Sequence, residues 1–302
     1  MGYNISALPT YTDQTGAIIS KSVLGAKSAS LFTPMPDVKG SKSINIFDTA
    51  LTFASDACSF SSNDTTTLTQ RTLTVGAIKA EQSICPADFD GYYAQYFLKR
   101  GSWQTDLPFE QALLDYQAAN VAALIETAIW VGDTSTGNTN ANTNKFQGIL
   151  PLISGSSSVV TGTTTGTSAG MVTVMQNVYN SIPAQLLNKD DVVIFAGFDT
   201  FRLYQQGLSN ANLFHYDASI GANFEIFVPG TNVKVIAVNG LNNTSNKIVA
   251  GRLSNFYYGF DASEDSASAK IWYSQDNEQV RMSYKFKAGV QVAFLPEIVY
   301  YR

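Results

Sequence analysis

Apolar and polar residues alternate most strictly near the C-terminal end of the chain. Val280, Met282, Tyr284 and Phe286 are separated by Arg281, Ser283 and Lys285, and Lys287 follows. A period of two is that of a strand with one buried face. The four apolar residues are therefore expected inward, and Arg281, Lys285 and Lys287 outward. Ala288 and Gly289 interrupt the pattern, and a bend between two strands is expected there. Val290, Val292 and Phe294 resume it as far as Pro296.

A second period governs residues 107–131. Leu114, Ala118, Val121, Ile125 and Ala128 recur at steps of four and three, the spacing of one helix face. Leu113, Tyr116 and Leu124 are expected to widen that face. Thr105 and Asp106 suit the N-terminal cap, Pro108 and Glu110 the first turn, and Gly132 the stop. Some 25 residues make a rod of roughly 37 Å, long for a globular domain. Helical spacing returns in Val172, Met175, Val178, Tyr179 and Ile182. Val192 to Ala196 reads as a buried strand, followed by a turn and a helix from Asp199 to Gln206. "VKVIAVNGL" and "NKIVAGRLSNFYYGFD" supply further strands. The whole reads as an α+β chain.

The N-terminal third is less periodic. Residues 1–43 are rich in Ser, Thr, Gly and Pro and read as an extended arm, with Ile18, Ile19, Val23, Leu24, Leu31 and Phe32 as apolar anchors. Residues 44–80 read as a long hairpin turning at "SFSSNDTTT". Phe53, Phe60 and Leu68 are its large apolar residues. Such a hairpin is not stable alone in water and needs a surface to lie on. "TSTGNTNANTNKFQG" and "SGSSSVVTGTTTGTSAG" read as loops or mobile tips.

Composition sharpens the picture. Charged residues make up 14% of the 302 positions, while hydrophobic residues make up 45%. The usual charged share is about a quarter. A surface of uncharged polar groups suits burial against other subunits, whose interface cores are depleted of charge; a secreted β-rich protein has a similar composition. The net charge is -5 and the basic residues are scattered, which argues against a nucleic-acid-binding patch. No apolar run approaches the ~20 residues of a membrane span. The N-terminal MGxxx[ST] pattern and the sequons at Asn63 and Asn243 are weak signals in themselves. Two cysteines, Cys58 and Cys85, make no disulfide framework. His215 is the single histidine, so any Ser- or Cys-nucleophile scheme would have to use it as base. Asp64, Asp88, Asp90, Asp190 and Asp191 lack calcium-loop spacing and read as turn and cap residues. No catalytic, cofactor or metal site is expected.

The order of these pieces resembles the major capsid protein of tailed bacteriophages, the HK-97-type fold, over nearly the whole chain. "RTLTVGAIKAEQSICPADF", "IETAIWVGD", "DDVVIFAGFDTFRLYQQG" and "EQVRMSYKFKAGVQVAFLPEIVYY" carry the resemblance. It implies an N-terminal arm (1–43), an extended loop (44–80), a peripheral domain (81–131 and 262–292) with a spine helix marked by Leu114, Val121 and Ile125, and an axial α/β domain (132–261 and 293–302). It implies a non-enzymatic subunit that assembles with itself into hexamers and pentamers of an icosahedral phage head. The head would form in the host cytoplasm and enclose double-stranded DNA held only non-specifically. Portal, a separate scaffolding protein and a decoration protein are the further partners implied. Phe53, Phe60, Leu68 and Lys79 are expected at contacts between subunits. The Lys-Asn cross-link of some members has no recognisable Asn partner here. Two other readings stay open: an encapsulin-like shell, whose chains usually begin with a helix, and a β-rich tail or surface adhesive, which would lack a long capped helix.

Overall fold

The computed structural model describes residues 26–50, 52–53, 65–85, 108–154, 159–160, 167–211, 224–261 and 268–302. The first element is the short helix α1 (Lys27–Leu31), followed by strand β1 (Thr33–Met35). Strands β2 (Ser41–Ala50) and β3 (Thr65–Thr74) form an antiparallel hairpin, and β4 (Gly76–Ile84) continues from it. The long helix α2 (Pro108–Val131) and the short α3 (Ile149–Ile153) come next. Then follow β5 (Val159–Val160), α4 (Ser168–Ser181), β6 (Val192–Gly197) and α5 (Phe198–Asn210). The rest of the chain is extended: β7 (Glu225–Phe227), β8 (Lys234–Val238), β9 (Ile248–Arg252), β10 (Phe256–Phe260), β11 (Ser268–Ser274), β12 (Gln279–Val292) and β13 (Val299–Tyr301).

These strands make two sheets beside the hairpin. The six-stranded sheet has the order β5-β13-β9-β6-β8-β7. Its central strand β6 is buried along its whole length, as "VVIFAG" requires of a strand covered on both faces. Met171, Val174, Met175 and Val178 of α4 and Phe201, Tyr204 and Leu208 of α5 cover one face. The buried stripe of α4 is thus carried by Met171 and Val174 as well as Met175 and Val178, and Val172 and Tyr179 are only partly buried. Val193, Phe195, Ile236, Val238 and Val249 on the other face join the core around α2.

The five-stranded sheet is organised by β12, which at 14 residues is about 46 Å long. Its first half lies between β4 and β11, and its second half pairs with β10, which in turn pairs in parallel with β1. Met282, Tyr284 and Phe286 share one core with Ala118, Val121, Ile125 and Ala128 of α2. The expected bend at Ala288 and Gly289 is absent, because β12 runs through both residues without interruption. Gly289 serves close approach instead: a Cβ there would lie 2.3 Å from the carbonyl oxygen of Thr74. The chain leaves the sheet only after Val292, through the turn at Leu295–Glu297. The outward set also needs correction. Lys287 is tied to Asp261 at 3.4 Å and to the Lys39 carbonyl at 2.8 Å.

Three further expectations change. Tyr116 and Leu124 do not widen the buried face of α2; both are exposed. The loop after α2 is no mobile tip, since Asp133 and Gly148 donate backbone hydrogen bonds to Thr143 (2.8 Å) and Gly132 (2.7 Å). The end of the arm is a packed element. Ala26, Ala29 and Phe32 are buried, and Phe32 meets Trp130 of α2, Phe195 of β6 and Phe256 of β10 at centroid distances of 6.0, 5.9 and 5.1 Å. The arm, the long helix and both sheets therefore meet at one aromatic cluster.

A buried acid sits beside it. The Ser28 N–H donates to Glu126 Oε2 at 3.0 Å and the Ser28 hydroxyl donates to Oε1, while Trp130 Nε1–H donates to the Ser28 oxygen at 2.7 Å. Burial pushes the Glu126 carboxyl above its ordinary value; the Ser28 donors, Trp130 and the Lys27 charge only partly offset this. A raised carboxyl makes the folded chain bind the proton better than the unfolded chain. Its stabilising contribution is then complete below the ordinary carboxylate range and is lost as pH rises through the folded value. Urea midpoints measured from pH 4 to pH 8 should carry this downward slope, and Glu126→Gln should flatten it. An unchanged slope in the variant would assign it to other groups.

Candidate subunit-contact surface

The hairpin is anchored at its base and bare beyond it. Ten pairs run in register from Ser41 opposite Thr74 to Ala50 opposite Thr65. At the base, Ile44, Leu73, Val75 and Val38 form a small buried cluster. Leu73 fits against Gly259 of β10, where a Cβ would lie 2.3 Å from its methyl group. Gln291 of β12 donates to the Thr72 carbonyl at 2.6 Å, and the Val75 N–H donates to Gly40 at 2.9 Å.

Directly opposed residues of an antiparallel pair share a face. Phe47 and Leu68 are so opposed, and they are 67% and 74% exposed. Neighbouring positions on that face are Asn45, Gln70, Thr49 and Thr66, with Gln70 donating to Asn45 at 2.8 Å. It is an uncharged polar strip with one apolar pair at its centre. Phe53, beyond β2, is 98% exposed. Covering Phe47 and Leu68 would contribute about 1.5–3 kcal/mol for each side chain.

A cleft of about 320 Å³ opens between the hairpin and the body, lined by Ile46, Phe47 and Asp48 on one side and Arg252, Asn255, Phe294 and Glu297 on the other. Its floor is rigid. Arg252 Nε donates to Asp191 at 3.1 and 3.2 Å, Ser254 donates to Asp191 at 2.6 Å, and Asn255 bridges to Phe294 by two bonds of 2.7 Å. Burial pushes the Asp191 carboxyl up, but the bonds from Ser254 and Arg252 together bring it below its ordinary value. Burial raises Glu297, against the pull of Arg252. Among the described residues no group of three or more His, Cys, Asp or Glu could hold a metal ion. Nor is any described helix long and apolar enough to cross a membrane.

The expected contact residues do not all lie together. Leu68 and Phe53 are on the exposed part of the hairpin, and Phe60 lies outside the described residues, as do Cys58 and His215. Lys79 is not on the hairpin, which ends at Thr74. It belongs to β4, opposite Lys285 of β12, and pairs with Glu81. Of the residues expected to mark the long helix, Val121 and Ile125 are buried in the main core; Leu114 lies in α2. Phe47 was not singled out, and only the strand register places it opposite Leu68.

No protein-family model and no curated protein matches the chain. Solved structures do. A chain from the procapsid of satellite phage P4 with its size determination (Sid) protein is similar with a TM-score of 0.61 at 14% identity, over 95% of this chain and 90% of that one. A chain from the capsid of the native GTA particle gives 0.57 at 13% identity, over 93% and 89%. One from the capsid of Myoviridae phage XM1 gives 0.56 at 11% identity, over 88% and 86%. The chain therefore has, over nearly its whole length, the fold of chains that occur in phage and GTA capsids.

Proposed function

We propose that this chain is the shell subunit of a phage head, assembling with itself into hexamers and pentamers around double-stranded DNA. One observation carries the reading: a capsid-chain fold presents a hairpin that is clamped at its base and exposes Phe47 and Leu68 at its centre. In this reading α2 is the spine helix and residues 81–131 and 262–292 the peripheral domain. The six-stranded sheet with α4 and α5 forms the axial domain, 132–261 and 293–302. The hairpin is the extended loop, which lies across the neighbouring subunit and covers its Phe47 and Leu68 there. Rings built this way use head-to-tail contacts that close by rotation. The low charge content fits large permanent interfaces, which bury upwards of about 2,000 Å². Scaffolding, portal and decoration proteins are the partners this role calls for. The role needs no catalytic group.

Electron microscopy and sedimentation of the purified chain, alone and with a co-expressed scaffold, test the reading. Closed particles or capsomer rings are expected. A chain that stays monomeric under every such condition would refute it.

A further inference from the structure

Two surfaces of the chain carry opposite charge. The cleft between the hairpin and the body is anionic: the carboxylates of Asp48, Asp191 and Glu297 stand around one guanidinium, Arg252. Asp191 is engaged by both Arg252 and Ser254, whereas Glu297 has Arg252 at 3.9 Å. Burial and the neighbouring Asp191 charge both oppose ionisation of Glu297, so a further cation would find an under-neutralised group there. Asp48 is exposed and makes no ion pair among the described residues. Phe47 and Phe294 line the same cleft, and aromatic rings attract a cation.

The outer face of the five-stranded sheet is cationic. Alternate residues of a strand share a face, and so do directly opposed residues of an antiparallel pair. Arg281 and Lys285 of β12 therefore stand with Lys79 of β4, opposite Lys285, and with Trp272 of β11, opposite Arg281. Lys285 and Trp272 are exposed. Like charges directly opposed on a sheet destabilise it, so nothing within the subunit itself favours Lys79 beside Lys285. Glu81, which pairs with Lys79, is the one acid among the described strand residues of this face, and Lys287 is already held by Asp261. Arg281 and Lys285 make no ion pair among the described residues.

We propose that these two surfaces meet between copies of the chain, the Lys285 ammonium of one copy entering the cleft of the next and lying between its Asp48 and Glu297. The occupant is a second copy because the chain itself carries the complementary charge. Cleft against cleft, or sheet against sheet, would set like charges together. The contact is therefore head-to-tail, the kind that closes into rings by rotation. The inference rests on the reading of the chain as a self-assembling shell subunit, and adds to it the surface that each neighbour presents.

The test uses two proteins in a Cys58→Ser, Cys85→Ser background. One carries Thr67→Cys, opposite Asp48, and the other Ala77→Cys, opposite Lys287 and next to Lys285 on the sheet face. They are mixed and treated with a short bismaleimide, so that a link between 67 and 77 joins two copies. That link is expected at twice the subunit mass, and Lys189→Cys in place of Ala77→Cys should give none. Charge exchange on the otherwise natural chain is the second readout. Asp48→Lys and Lys285→Glu should each lower self-association in sedimentation by about tenfold or more, and the two together should restore most of it. No link, or single exchanges without effect, would overturn the contact; particles that still form would leave the shell-subunit reading in place without it. A link in a chain that makes no closed particles would keep the contact and remove the shell.

Discussion

Cutting the hairpin back to its buried base should leave a folded chain that, on the proposed role, no longer closes into shells. The variant replaces residues 46–69 by Asn-Gly, joining Asn45 to Gln70, which face each other in the register. It keeps Ile44, Leu73 and Val75 in their cluster and the Gln291 bond to Thr72. It removes Phe47, Phe53 and Leu68, none of which contributes to the subunit's own core. The melting temperature should stay within a few degrees of the parent, since surface changes away from packed groups move stability by about 0.5 kcal/mol or less. Shell yield should fall below detection, because the proposed assembly would lose the same apolar pair at every contact between copies. Circular dichroism follows the fold and sedimentation the particles. Normal particles would remove the hairpin from the interface, and an unfolded subunit would place it in the chain's own core.

Trp130→Ala has the largest expected effect on the subunit itself. Trp130 is fully buried, 5.0 Å from Phe195 and 6.0 Å from Phe32 between ring centres. Truncating a buried Trp costs about 3–5 kcal/mol. The change also removes the donor to Ser28, the residue that holds the buried Glu126. Native domains are stable by only about 5–15 kcal/mol, so the variant should lose a large share of its stability and melt well below the parent. Trp130→Phe separates the two losses. It keeps most of the ring volume and drops the hydrogen bond alone, at about 1 kcal/mol. Urea midpoints of the two variants give the comparison, and equal midpoints would make the hydrogen bond, not the packing, the dominant contribution.

Much of the architecture was legible in the sequence because it obeys local periods. The alternation of Met282, Tyr284 and Phe286, the four-and-three steps of Val121 and Ile125, and the unbroken "VVIFA" each report burial directly. What escaped was set by contacts distant in sequence. Nothing near Ser28 signals that Glu126, 98 positions away, needs its two donors. The Gly and Pro content of the arm hid a short helix whose Phe32 is a core residue. Gly289 looked like a hinge, yet it is small because Thr74 passes over it. Lys79 looked like a hairpin residue because β3 and β4 are separated by Val75 alone. The contact surface was half legible: polar strands with a few large apolar residues marked the hairpin, but only the register put Phe47 beside Leu68.

The strand pairing also fixes when the subunit can finish folding. β1 waits for β10, β4 for β12 and β5 for β13, so partners separated by some 140 to 220 positions must meet. Folding rates fall as the sequence separation of contacts grows, because loop-closure entropy is spent before the contact rewards it. During synthesis the first 80 residues have no sheet to join until β10 and β12 emerge, almost at the end of translation. A nascent chain therefore carries β1 and β4 without their sheet partners until nearly the whole chain has been made.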